Sequence, residues 1–335
     1  METSTTSKNR KQISGLGSRL ALLAILALGA AFRFYNVNWD EGTYHIHPDE
    51  RHTAMVITRI QWPQSVGEYF DTSHSPLNPR NQDTVYFYGT LPLFLTKYVA
   101  TQLDSFQTAY LEARPHLNEE GRAPQHLTSY DRIHLVGRVL SALFDLGSVL
   151  LLFFLARRLF DWRVGLAASL LLALTVLNIQ SSHYFTVDAF LTCFVELTIW
   201  FTLDVAEGKG WLSFLALGIS MGLTLASKVS VFLLAVVVAL GAWVWLRREV
   251  LKGHNASRAA LKALAGLVLA AIVAVAVFRA AQPYAWAGPH YDRWDSAPPP
   301  WGERLRPLAK LSEPIKAIAL PNPQWIADIV SAGAQ

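Results

Sequence analysis

Apolar residues come along this chain in long blocks rather than in alternation with polar ones. Blocks at 18–34, 133–156, 164–179, 189–205, 211–226, 229–246 and 261–281 are rich in Leu, Ala, Val, Ile and Phe and nearly free of charge. A bilayer core is ~30 Å thick and an α-helix rises ~1.5 Å per residue, so blocks of this size predict seven membrane-crossing helices. A further block, 84–103, is also about one bilayer long but holds Tyr86, Tyr88, Gly89, Pro92, Lys97 and Gln102. Basic residues, which gather on the cytoplasmic side of membrane proteins, decide its placement. If 84–103 does not cross, Lys8, Arg10, Lys11 and Arg19 share one side with Arg157, Arg158, Arg163, Lys209, Arg247, Arg248, Lys252, Arg258 and Lys262. If it crosses, both Arg-rich turns face outward. The block is therefore expected as a helix lying in, or re-entering, the outer interface.

This topology places the N-terminus in the cytoplasm and makes 36–132 a single outer loop. A loop of that length is either functional or disordered. Trp39, Tyr44, Trp62, Tyr69, Phe70, Tyr86, Phe87 and Tyr88 argue for an ordered, partly helical cap, with 112–129 as solvated loop. The expected fold is all-α: a polytopic transmembrane helical bundle of about seven spans. Its parts are a cytoplasmic tail at 1–17, a transmembrane domain at 18–281 that includes the outer loop, and a Pro- and Trp-rich outer segment at 282–335.

Composition agrees, with 52% hydrophobic and 16% charged residues in 335, and a mean hydropathy of +0.26. A soluble domain rarely combines these values. Phe32, Arg33, Phe34 and Tyr35 offer no small-residue cleavage site, so the first block reads as an uncleaved span rather than a signal peptide. Cys193 is the single cysteine, which excludes an intrachain disulfide. The net charge of +4 and pI near 9.1 could suggest nucleic acid, but the basic residues lie at membrane edges, where anionic lipid is the expected partner.

Candidate chemistry concentrates on the outer side. His47, Pro48, Asp49 and Glu50 place two carboxylates shortly after the first span. Either they serve a reaction at the membrane surface, or they favour the first turn of a helix starting near Pro48. Asp40 and Glu41 form a rival acidic pair. Asp188 stands at the outer mouth of a span, where helix capping is the simpler reading. Lys228 interrupts an otherwise largely apolar stretch, and either pairs with an anion or snorkels to the interface. Arg138 and Arg279 sit at outer ends, against the charge trend, and call for either an anionic headgroup or partners such as Asp131, Asp145 or Asp292. His45, His47 and His52 among carboxylates leave a divalent metal open, without a recognised ligand spacing.

Taken in order, these pieces resemble the GT-C glycosyltransferases: a first span, the Asp49–Glu50 pair, the segment Tyr88-Gly-Thr-Leu-Pro-Leu93, Arg138 in a span, and His183-Tyr-Phe-Thr-Val-Asp188 before another. The branch most similar includes protein O-mannosyltransferases and the aminoarabinose transferase of lipid A, and the resemblance covers about residues 16–284. It implies transfer of a sugar from a polyprenyl-phosphate carrier to a lipid, glycan or protein acceptor at the outer face of the inner (plasma) membrane. It further implies Asp49 as base, Glu50 and Asp188 as supporting carboxylates, Lys228, Arg138, Arg279 and His183 around donor and acceptor, and Tyr88 and Tyr284 lining the outer pocket, where packing is favoured over direct contact. No cofactor is expected. Such enzymes usually carry more spans, so the sequence also fits an N-terminal part of a longer protein or a shortened relative. The other classes left open are a carrier-lipid-binding or assembly subunit without catalysis and, less well supported, a transporter, whose charges would cluster at the bilayer midplane.

Overall fold

The computed structural model describes residues 3–41, 46–82, 86–114 and 126–285, and among them every regular element is helical. The helices are α1 (Thr3–Phe34), α2 (Pro48–Arg59), α3 (Val66–Phe70), α4 (Thr90–Glu112), α5 (Tyr130–Leu159), α6 (Trp162–Leu174), α7 (Val176–Ser182), α8 (Asp188–Glu207), α9 (Trp211–Ser227), α10 (Leu234–Leu251) and α11 (Ala256–Ala281). Short 3-10 turns occupy Pro79–Gln82, Val229–Leu233 and Pro283–Ala285.

Among the described residues, five segments are long and apolar enough to cross a membrane: Leu16–Phe34, α5, α8, Val229–Leu251 and α11. Two of the seven expected spans differ in form. Block 164–179 is broken into α6 and α7 with a bend of 58°, and α9 is a shorter apolar helix of 17 residues. α4 runs for 23 residues but is not among the segments apolar enough to span. The bundle wears large apolar side chains outside, including Leu171, Leu212, Leu240, Leu264 and Ile272, as lipid-facing helices do.

The bend has an identifiable cause. Thr175 adopts an extended conformation, which frees carbonyls at the end of α6. Arg33, at the end of α1, donates to Ala173 O at 3.0 Å and Leu172 O at 3.3 Å, and its Nε pairs with Asp145 Oδ2 at 2.5 Å. Asn178 Nδ2 donates to the other Asp145 oxygen at 3.1 Å. Carbonyls freed at membrane depth need such donors, because lipid supplies none.

α9 and α11 pack through small residues. Gly218 and Gly222, four apart on α9, face Ala270 and Ala274, and a Cβ on either glycine would fall within 2.7 Å of an α11 carbonyl oxygen. This small-xxx-small spacing lets helix backbones approach closely in lipid. The chain's passage through the bundle brings the ends of α1, α7, α9 and α11 together with the starts of α5 and α8. The turns after α5, α8 and α10 share the opposite end, where Arg158 bridges to Asp204 and Glu207.

Candidate active site

Arg138 organises the first of these ends. α5, at 30 residues, is ~45 Å long against an apolar slab of ~30 Å, so Arg138, two turns in, lies near the slab's edge. All five of its N–H donors are used. Nε and Nη2 reach the two Glu50 oxygens at 2.7 and 2.6 Å, Nη1 and Nη2 reach the two Asp40 oxygens at 2.7 and 2.9 Å, and Nη1 also reaches Val37 O at 2.9 Å. The side chains of Arg138, Asp40 and Glu50 are fully buried. Burial alone would raise the Asp40 carboxyl, but the hydrogen bond and charge of Arg138 outweigh it and hold it below its ordinary value. Glu50 also accepts from Phe185 N at 2.8 Å, which ties the 183–188 turn to α2. The Phe185 ring lies against Gly137, where a Cβ would come within 2.1 Å of it.

This arrangement revises the expectation for three residues. Arg138 has no donor left for a lipid phosphate, and its partners are Asp40 and Glu50 rather than Asp131, Asp145 or Asp292. Glu50 is sealed from any acceptor and acts on the position of α2. Asp40, the rival base, is consumed in the same network.

Asp49 is placed differently. It stands beside Glu50 in the first turn of α2, after Pro48, and is only half-buried. Tyr88 Oη donates to Asp49 Oδ2 at 3.2 Å, while Oδ1 has no protein partner among the described residues. Burial and then the negative charge of Asp49 push the Tyr88 phenol up to about 12, so Tyr88 keeps its proton and remains a donor. Tyr88 is fixed by its neighbour: Gly89 N donates to Ser227 O at 3.0 Å, and a Cβ at Gly89 would lie 1.9 Å from Ala226 O. The start of α4 therefore rests directly on the end of α9, where Lys228 begins.

Lys228 Nζ sits 5.6 Å from the centre of the Tyr88 ring and 3.4 Å from Asp188 Oδ1. Both partners of that pair are substantially exposed, at 36% and 58%. Asp188 is in the first turn of α8 without a side-chain cap, so the capping explanation does not describe it. Asp49, Tyr88, Lys228 and Asp188 thus form one accessible polar array beside the buried network.

The remaining expected site residues hold structure. His183 places Nδ1 2.8 Å from Ile179 O and Nε2 3.0 Å from Tyr35 O, which ties α7 to the end of α1. Tyr284 is buried, with its hydroxyl 2.8 Å from Ser75 Oγ and its ring edge-on to Phe94. Arg279 donates to Pro283 O at 2.9 Å and lies 4.5 Å over Phe70, while Gln282 accepts from Thr90 N and so joins the end of α11 to the start of α4. Two contributors escaped the sequence reading. The clamp between Arg33 and Asp145 is one, and the aromatic wall of Trp39, Tyr184 and His47, with Tyr184 5.8 and 4.5 Å from the other two rings, is the second. Among the described residues no three His, Cys, Asp or Glu side chains gather as a metal site, and His45 lies outside them.

A family model described as dolichyl-phosphate-mannose-protein mannosyltransferase matches residues 132–279. The match supports a membrane glycosyltransferase of the mannosyltransferase type, within the GT-C-like superfamily. It runs from the start of α5 nearly to the end of α11 and includes Arg138, Asp188, Lys228 and Arg279. Asp49, Glu50 and Tyr88 precede it. No curated protein and no solved structure gives a significant match. With the apolar helices, the family match supports a multi-pass membrane protein.

Proposed function

We propose that the chain transfers a sugar from a polyprenyl-phosphate carrier to an acceptor hydroxyl at the outer face of the membrane, with Asp49 as general base. The observation that carries this reading is the difference between neighbouring carboxylates. Asp40 and Glu50 are spent on Arg138, whereas Asp49 keeps Oδ1 open and is oriented through Oδ2 by a tyrosine that stays protonated. A base must have a lone pair facing the proton it takes.

In this scheme the acceptor hydroxyl gives its proton to Asp49 as its oxygen attacks the anomeric carbon, and the carrier phosphate departs with the bonding pair. Direct attack inverts the anomeric centre. Lys228 is the cation offered to the phosphate: its long, exposed contact with Asp188 is weak enough for a dianionic or monoanionic phosphate to replace, since exposed ion pairs contribute only ~0–1 kcal/mol. Asp188 then returns Lys228 to its resting position after release.

Membranes carrying the chain, or its Asp49→Asn variant, are supplied with radiolabelled polyprenyl-phosphate sugars and an acceptor extract that supports a known transferase. Transfer by the wild type, reduced roughly 10²–10⁴-fold in the variant with carrier binding retained, is the expected result. Equal transfer by both would remove Asp49 from the mechanism. Carrier binding by both without transfer would favour a carrier-binding subunit.

A further inference from the structure

At the end of the bundle away from Asp49, a cavity of about 200 Å³ is lined by Val205, Gly208, Gly210, Trp211, Phe214, Trp245 and Lys262. We infer that this cavity binds the phosphate and upper glycerol region of an anionic phospholipid, as a site separate from the sugar-transfer chemistry. Four observations point there.

The cavity is built by backbone shape. Gly208 ends α8 at φ 79°, and Gly210 opens α9 at φ 91° with nothing within 4 Å of where its Cβ would stand. These positive-φ glycines let the α8–α9 turn pass against the Trp245 ring of α10, with 3.0 Å between the Gly208 Cβ position and Trp245 Nε1, while the Gly210 side of the cavity mouth stays clear of side chains. Its floor is apolar, formed by Val205 and Phe214 of the cluster that includes Leu217, Ala242 and Ala270. Its rim carries donors. Lys262 is exposed and has no ion-pair partner among the described residues, and the Trp245 indole N–H lies beside Gly208 with no hydrogen-bond acceptor among them. The surroundings are basic: Asp204 and Glu207 are already paired with Arg158 and Lys209, while Arg247, Arg258 and Lys262 add charge around the same end.

An apolar floor with a cationic and N–H rim, at the end of membrane helices, matches a lipid whose phosphate sits at the rim and whose first acyl carbons lie on Phe214 and Trp211. A free anion would gain nothing from the floor, and a zwitterionic lipid would lose part of the attraction at the rim. The volume accommodates a phosphodiester with a few carbons and is below that of pockets for larger ligands.

The test is native mass spectrometry of the detergent-purified full chain, titrated with phosphatidylglycerol or phosphatidylcholine of the same acyl composition. Lys262→Gln and Trp245→Phe remove one donor each; Lys262 is at the surface, so its variant keeps the fold. The expected result is at least fivefold preference for phosphatidylglycerol in the wild type, lost in Lys262→Gln and reduced in Trp245→Phe, with phosphatidylcholine binding unchanged. Equal binding of both lipids, or undiminished preference in both variants, would overturn the inference. Full competition by glycerol 3-phosphate would also overturn it, by showing that the acyl region is not part of the site.

Discussion

Replacing Arg138 by Met removes the centre of the buried network while keeping an unbranched apolar side chain in its place. Five hydrogen bonds disappear, and Asp40 and Glu50 are left facing each other with no cation between them. Removing one partner of a buried ion pair costs about 3–5 kcal/mol, because the surviving charge stays desolvated. Here two carboxylates are stranded, so the upper part of that range applies, reduced where one of them takes up a proton. At ~2.1 cal/mol/K of unfolding entropy per residue, 335 residues give about 1.4 °C per kcal/mol, so the apparent melting temperature should fall by about 6–7 °C. Arg138→Lys should lie between, since an ammonium has three donors and cannot form two bidentate pairs at once. Melting followed by size-exclusion of detergent-solubilised protein reads both values. The competing view, in which Arg138 is aimed at a substrate phosphate, expects nearly normal melting with weakened donor binding. A drop of less than about 3 °C in Arg138→Met would refute the network argument.

Tyr88→Phe removes the donor to Asp49 and nothing else. A hydrogen bond to a charged group contributes about 1.5–3 kcal/mol, so melting should fall by about 2–4 °C while transfer, which depends on the orientation of the base, falls about tenfold or more; an unchanged rate would show that Tyr88 does not orient the base. Gly89→Ala drives a methyl into Ala226 O and should cost about 1–3 kcal/mol in stability, since the contact is with backbone; melting equal to wild type would mean that α4 and α9 slide apart freely. Asp40 has a lowered folded value, so its stabilisation is complete above 3.8, the ordinary value, and is lost as pH falls through the lower folded one. Melting of the wild type should therefore drop steeply on acidification below about pH 4, and the drop should be shallower in Asp40→Asn; parallel slopes would contradict the assignment.

The helical bundle was legible because lipid demands long uncharged blocks, and charge asymmetry alone arranged them. The broken form of block 164–179 was not, because the donors that satisfy the carbonyls freed at Thr175 come from Arg33, a residue 142 positions earlier that looks like an ordinary span terminus in the sequence. Asp49 and Asp188, far apart in sequence, stand in one array with Tyr88 and Lys228. Arg138 did not behave as a surface cation because sequence position says where a side chain lies along a helix and not what folds over it. Its partners arrive from the outer loop, whose path no periodicity records. His183 was identified by position near the site and bonds Ile179 O and Tyr35 O, while Tyr284 packs in the core against Phe94.

The location of Arg138 also bears on how the chain is assembled in the membrane. When α5 first enters the bilayer during synthesis, its arginine is a liability until Asp40 and Glu50 reach it, and those carboxylates must stay hydrated until then. The segment that carries Asp40 and Glu50 therefore has to wait for a helix made about ninety residues later. Until the two meet, both halves of the network stay unmatched, so the order of synthesis and the order of pairing along this chain differ by the length of that intervening segment.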